Sequence, residues 1–71
     1  MAFAENVRKF REIKGMSQSD LALAMDLSQS TIARYEMGMK IPNIITGIQL
    51  ARVLGTTVEM LVGEQEQEGN K

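Results

Sequence analysis

The side chains best equipped to meet another molecule lie in the stretch "SQSTIAR", residues 28–34. Gln29 carries a flat amide that donates and accepts side by side, and Arg34 carries a planar fork of donors. Ser30 and Thr31 add hydroxyls that can donate or accept, and Thr31 adds a methyl group. This set suits hydrogen bonding to base edges. Gln pairs in bidentate fashion with adenine N6 and N7, Arg pairs with guanine O6 and N7, and a threonine methyl can touch a thymine methyl. By themselves the same residues also fit an ordinary solvated helix face.

Other chemistries find few groups to work with. The 71-residue chain has no Cys and no His, which removes thiol chemistry, the usual zinc ligand sets and His-based acid–base catalysis. It shows no nucleophile–base pair, no metal-binding cluster and no glycine-rich phosphate cradle. The expectation is a protein that is not an enzyme and has no cofactor, metal or small-molecule ligand. No apolar run approaches the ~18 residues a membrane span needs. The opening "MAFAENVRKF" is charged from Glu5 onward and lacks the apolar core of a signal peptide. A soluble, cytoplasmic protein with no membrane partner is expected.

A net charge of -1 looks wrong for a polyanion binder, but its distribution matters more than its sum. The stretch "EQEQEGNK" holds Glu64, Glu66, Glu68 and Lys71, which leaves 7 basic and 6 acidic side chains in residues 1–63. Four of those basic residues, Arg8, Lys9, Arg11 and Lys14, cluster in one stretch, and the plain reading is a solvated helix face. Residues 64–71 are repetitive, polar and acidic, and are expected to be disordered.

Helical spacing recurs along the rest of the chain. Phe3, Val7, Phe10 and Ile13 make one apolar stripe that ends before Gly15, a residue suited to a left-handed helix stop. Ser17 reads as an N-cap, with Asp20 giving a weak capping box, and Leu21, Ala22, Ala24 and Met25 follow as a short apolar helix. Asp26 interrupts. Ser28 caps a third helix from Gln29 to Met37 with Ile32 and Tyr35 facing inward, and Gly38 ends it. Pro42 keeps "MKIPN" a loop. Asn43 caps a fourth helix to Leu54 with Ile44, Gly47, Leu50, Ala51 and Leu54 on one face. Gly55 stops it, and Thr57 caps a last helix, Val58 to Val62, before Gly63. Met16, Met25, Met37, Met39 and Met60 read as core or boundary filler. The fold class is all-α, five short helices.

Gln18 opens the second helix, and Ala22, four residues on, is small enough to let two helices cross closely. With the tight turn at Asp26–Leu27 and the cap at Ser28, helices two and three describe a helix-turn-helix. On "FREIKGMSQSDLA", "LSQSTIARYEMG", "IPN" and "LARVLGTTVEMLVG" the chain resembles the lambda-repressor-like DNA-binding domains, the Cro/CI-type or XRE family, over residues 3–63. The resemblance implies a helix-turn-helix domain over 1–63 that binds operator DNA, commonly as a two-fold dimer. Two positions depart from the family pattern: Asp26 stands where the turn usually has Gly, and Gly47 stands where helix four usually has a large apolar residue.

The same resemblance assigns roles. Gln29, Ser30, Thr31 and Arg34 would face the major groove. Gln18 would contact a phosphate and orient Gln29, and its place at a helix N-terminus favours an anion. Ser28, Lys40, Asn43 and Lys14 are further phosphate candidates. Arg11 and Glu36 match a pair that holds the recognition helix against the first helix. Ile41, Ile45 and Ile48 form a second apolar stripe beside helix four. With Val58, Met60 and Val62 they suggest a homodimer patch near helix five, or simple packing between helices four and five. The function implied is a sequence-specific double-stranded DNA-binding transcriptional regulator, a repressor on a near-palindromic operator. The alternative is an antitoxin-like protein-interaction module that keeps the fold without DNA binding.

Overall fold

The computed structural model describes residues 2–63, so the expected acidic tail lies outside the described residues. Five helices follow in order: α1 (Phe3–Ile13), α2 (Gln18–Met25), α3 (Gln29–Glu36), α4 (Ile44–Leu54) and α5 (Val58–Val62). Four of them start where a short polar side chain takes a free N–H of the first turn. Ser17 accepts from the Asp20 N–H (2.9 Å), Ser28 from Thr31 (3.2 Å), Asn43 from Thr46 (2.9 Å) and Thr57 from Met60 (3.1 Å). The capping box of α2 is complete, because the Asp20 carboxylate also accepts the Ser17 N–H at 2.9 Å.

The turn between α2 and α3 depends on Asp26, which is left-handed at φ 58° and ψ 42°. This conformation sends the Leu27 N–H back to the Ala22 carbonyl, 2.9 Å away, and so closes the end of α2. It is the only positive φ at a non-glycine among the described residues. Asp tolerates this region better than most residues, but less well than Gly.

Phe3, Val7, Leu21, Ala22, Ile32, Tyr35, Leu50, Ala51, Leu54 and Leu61 form the core, so every helix contributes. Phe3 and Tyr35 meet edge to face with centroids 6.2 Å apart. Asn6 is a polar residue buried whole, and its amide donates to the Met60 and Leu61 carbonyls at 3.1 and 2.9 Å. Those carbonyls lie in the last turn of α5, where the Met60 carbonyl also takes the Gly63 N–H at 3.3 Å, so Asn6 helps to satisfy the end of the helix and ties α5 to α1.

Several expected core positions lie outside it. Ile13 is 68% exposed, because steps of 100° carry it about 80° past Phe3, beyond the end of the packed face. Ala24 is exposed on the outer side of α2, beside Leu23. Met16 and Met25 pack against the core, whereas Met37, Met39 and Met60 are exposed; Met37 is the C-cap of α3 rather than part of it. Ile44, expected on the inner face of α4, is 65% exposed. It sits on the rim of an open apolar cleft of about 190 Å³, lined also by Phe3, Ile41, Gly47, Val58 and Val62. Gly47 explains the cleft: a Cβ built there would meet nothing within 4 Å, so the space a large side chain would fill stays open under Ile44.

Candidate nucleic-acid interface

Helix α3 has only two turns, and its orientation is set by what it buries. Ile32 and Tyr35 sink into the core, which turns Gln29, Ser30 and Arg34 outward. Thr31 is half-buried, and its hydroxyl lies 2.9 Å from the Ser28 hydroxyl, which also accepts the Thr31 N–H. Those two hydroxyls are therefore part of the α3 cap. The exposed group is Gln29, Ser30 and Arg34.

Behind α3 stands a chain of polar contacts. Arg11 reaches from α1 and donates to both carboxylate oxygens of Glu36, at 2.6 and 3.1 Å, and its third contact is the Met16 carbonyl at 2.8 Å. The Glu36 side chain keeps only 4% of its exposure and that of Arg11 keeps 11%. Gln18, the first residue of α2, donates its amide N–H to Glu36 Oε1 at 3.1 Å. Gln29 in turn donates to Gln18 Oε1 at 3.1 Å. Four residues from three helices thus form one line, from the buried guanidinium to the exposed amide of Gln29.

The electrostatics follow from that line. Burial works against the Glu36 charge, but hydrogen bonds from Arg11 and Gln18 and the nearby Arg11 charge outweigh it, so the carboxyl is held below its usual range. Arg11 is held above its ordinary value, chiefly by its hydrogen bond to Glu36. Asp20 is also held below the usual carboxylate range by its bonds to the Ser17 N–H and hydroxyl.

The remaining candidates are more scattered. Asn43 uses its side-chain oxygen to cap α4. Lys40 is exposed in the α3–α4 connection. Lys14 lies over the end of α4, with its Nζ 3.7 Å from where a Gly55 Cβ would stand. The basic run of α1 disperses: Arg8 bonds Glu12 at 3.1 Å on the surface, Lys9 lies over the Phe10 ring, and Arg11 turns inward. Of the apolar candidates, Ile45, Ile48 and Met60 are exposed with Ile41, while Val58 and Val62 are half-buried against the core.

Sequence reasoning missed two contacts. The Gln18–Glu36 hydrogen bond, which joins the ion pair to the glutamines, has no local signal, because the partners are 18 residues apart. Asn6 did have one: it stands among Phe3, Val7 and Phe10 at helical spacing, and a polar residue on an apolar stripe needs a partner. Among the described residues, no helix is long and apolar enough to cross a membrane, and no group of three His, Cys, Asp or Glu residues is placed to hold a metal.

A family model described as helix-turn-helix matches residues 7–61. The chain is 30% identical over 60 residues to the SPbeta prophage-derived HTH-type transcriptional regulator YonR of Bacillus subtilis, covering 84% of this chain and 56% of that protein. It spans little more than half the length of the curated relatives it matches. The restriction-modification controller protein C.AhdI from Aeromonas hydrophila is 28% identical with a TM-score of 0.78, over 84% of this chain and 91% of that one. Hydroxypropylphosphonic acid epoxidase from S. wedmorenis is 29% identical with a TM-score of 0.78, over 84% of this chain but only 32% of the epoxidase. The same five-helix unit therefore also occurs as a minor part of a larger protein.

Proposed function

The chain belongs to the helix-turn-helix family, and on that footing we propose that it is a sequence-specific double-stranded DNA-binding transcriptional regulator, a repressor acting as a dimer on a near-palindromic operator. In this reading residues 1–63 form the binding domain. The observation that carries it is the outward first turn of α3, where Gln29, Ser30 and Arg34 are exposed and Gln29 is braced by Gln18 from the start of α2. Gln29 and Arg34 read base edges. Gln18 keeps a second amide hydrogen free for a phosphate, and Lys40, Lys14 and the Asn43 helix start are further phosphate contacts that position the protein without reading sequence.

Dimerisation uses the apolar ridge beside the cleft, chiefly Ile45 and Met60 with Ile41, Ile44 and Ile48, which are all exposed. A two-fold dimer then places two α3 helices about one DNA turn, ~34 Å, apart. Ile44→Asp/Ile45→Asp should shift the sedimentation of the protein to that of a monomer.

The same apolar ridge and the near balance of charge in residues 1–63 favour a second reading, an antitoxin-like protein-interaction module. Selection from randomised duplexes, with binding followed against salt, separates the two. The DNA-binding reading predicts one enriched near-palindromic site and an affinity that falls as salt rises. No enriched site and no salt dependence would leave the protein-interaction reading standing. Within the first reading, Gln29→Ala should lose ~1–3 kcal/mol at particular base pairs only.

A further inference from the structure

The line of contacts behind α3 has a direction, and the direction is imposed by charge. An ionised carboxylate can only accept hydrogen bonds. Glu36 is ionised and nearly buried against Arg11, so the atom Gln18 turns toward it must be the amide nitrogen. The Gln18 oxygen is then left for Gln29, and only the nitrogen of Gln29 can meet it. Gln29 keeps its own oxygen free, together with one N–H. One free acceptor beside one free donor is the pattern that pairs with adenine, which offers N6–H and N7. With the line reversed, Gln29 would spend its oxygen on Gln18 and present two N–H groups, the pattern that suits the O6 and N7 acceptors of guanine.

The geometry points to Glu36 as a specificity-determining positioning residue: held by Arg11, it sets the amide orientation of Gln29 through Gln18 and so selects adenine over guanine at one base pair of each half-site. Glu36 touches no base in this scheme. It acts through two amides, and the information it passes is which end of each amide faces out.

The inference rests on the DNA-binding reading, and one experiment keeps the two apart. The full chain and three variants are each put through selection on randomised duplexes, with folding followed by circular dichroism. Glu36→Gln replaces an acceptor-only group by an amide whose oxygen the donor-only Arg11 can claim, which turns an N–H toward Gln18 and removes or reverses its imposed direction. Arg11→Met/Glu36→Leu removes the anchor while filling its volume with apolar groups, a replacement that buried ion pairs often tolerate, and so serves if the first variant does not fold. Gln18→Leu cuts the line between Glu36 and Gln29.

The wild type should prefer adenine over guanine at one position by on the order of tenfold, as a bidentate pair allows. Arg11→Met/Glu36→Leu and Gln18→Leu should bring that preference close to parity, and Glu36→Gln to parity or past it toward guanine, while each keeps the ranking of bases at every other position. Adding Glu36→Gln to Gln18→Leu should change nothing further. If the variants bind all sequences more weakly but keep the wild-type profile, Glu36 is a structural residue only and the inference is overturned, with DNA binding intact. If the wild type enriches no site, both the reading and the inference fall.

Discussion

Gly47→Ala should stabilise this protein. Gly47 lies inside α4, has ordinary helical backbone geometry, and donates its N–H to the Asn43 carbonyl at 2.8 Å. A methyl group there would meet nothing within 4 Å, so no clash opposes it. Replacing Gly by Ala in a helix interior gains about 0.8–1 kcal/mol, mostly by restricting the unfolded chain. The methyl also begins to cover an apolar cleft of about 190 Å³, which adds a little more. For a domain of this size ~1 kcal/mol corresponds to a rise in Tm of roughly 4–8 °C. Thermal melts followed by circular dichroism at low protein concentration, with urea titrations to check that the m value is unchanged, measure it. An unchanged or lower Tm would refute the argument and mean that the bare backbone at position 47 is needed, for instance because another chain packs directly on it. Gly47→Leu sharpens the contrast. It should stabilise the isolated chain further by filling the cleft, yet weaken a dimer that uses the same cleft.

Other outcomes follow from the same contacts. Arg11→Ala leaves the buried Glu36 carboxylate without its partner and should cost ~3–5 kcal/mol in urea unfolding, against a much smaller loss for Arg11→Met/Glu36→Leu. Glu36 and Asp20 are both held below the usual carboxylate range, so the stability they contribute is fully present at neutral pH and is lost as pH falls from the unfolded-state value of ~4 through their lower folded values. Glu36→Gln should therefore flatten the acid limb of a Tm-against-pH curve, and an unaltered limb would contradict the assignment. Asp26→Gly should raise Tm, by at most ~1 kcal/mol of stability, because Gly enters the left-handed region without a side-chain penalty. Asn6→Ala takes the amide donor from the buried Leu61 carbonyl and from the half-covered Met60 carbonyl and should cost ~1–3 kcal/mol, with hydrogen exchange in α5 accelerating more than in α2 or α3.

How much of this was legible beforehand depends on the range of the interaction. Helix starts are set by side chains three residues from the N–H they accept, and Ser17, Ser28, Asn43 and Thr57 could be named from spacing alone. Core positions in mid-helix, such as Ile32 and Leu50, obey the same local rule. The rule fails at helix ends, where periodicity continues but the neighbouring helix does not. Ile13 keeps to the stripe of α1 after the packing partner has run out, and Ile44 leads α4 over a space that Gly47 leaves open.

The candidate site divides along the same line, and more consequentially. Which residues face outward on α3 follows from Ile32 and Tyr35 facing inward, so Gln29, Ser30 and Arg34 were within reach of the pattern. What those residues can recognise is a different matter. A glutamine amide is symmetric in shape and asymmetric in hydrogen bonding, so its preference depends on which end is already engaged. Here that is decided by contacts spanning 11, 18 and 25 residues, from Gln29 to Gln18, Gln18 to Glu36 and Glu36 to Arg11. No periodicity encodes them. They exist because α1, α2 and α3 converge on one buried carboxylate, and a neutral residue at position 36 could keep the same helices packed while leaving Gln29 free to turn either way. Fold and reading chemistry are thus separable at this one residue: a stability measurement registers the lost ion pair, and a base-preference measurement registers which way Gln29 is turned.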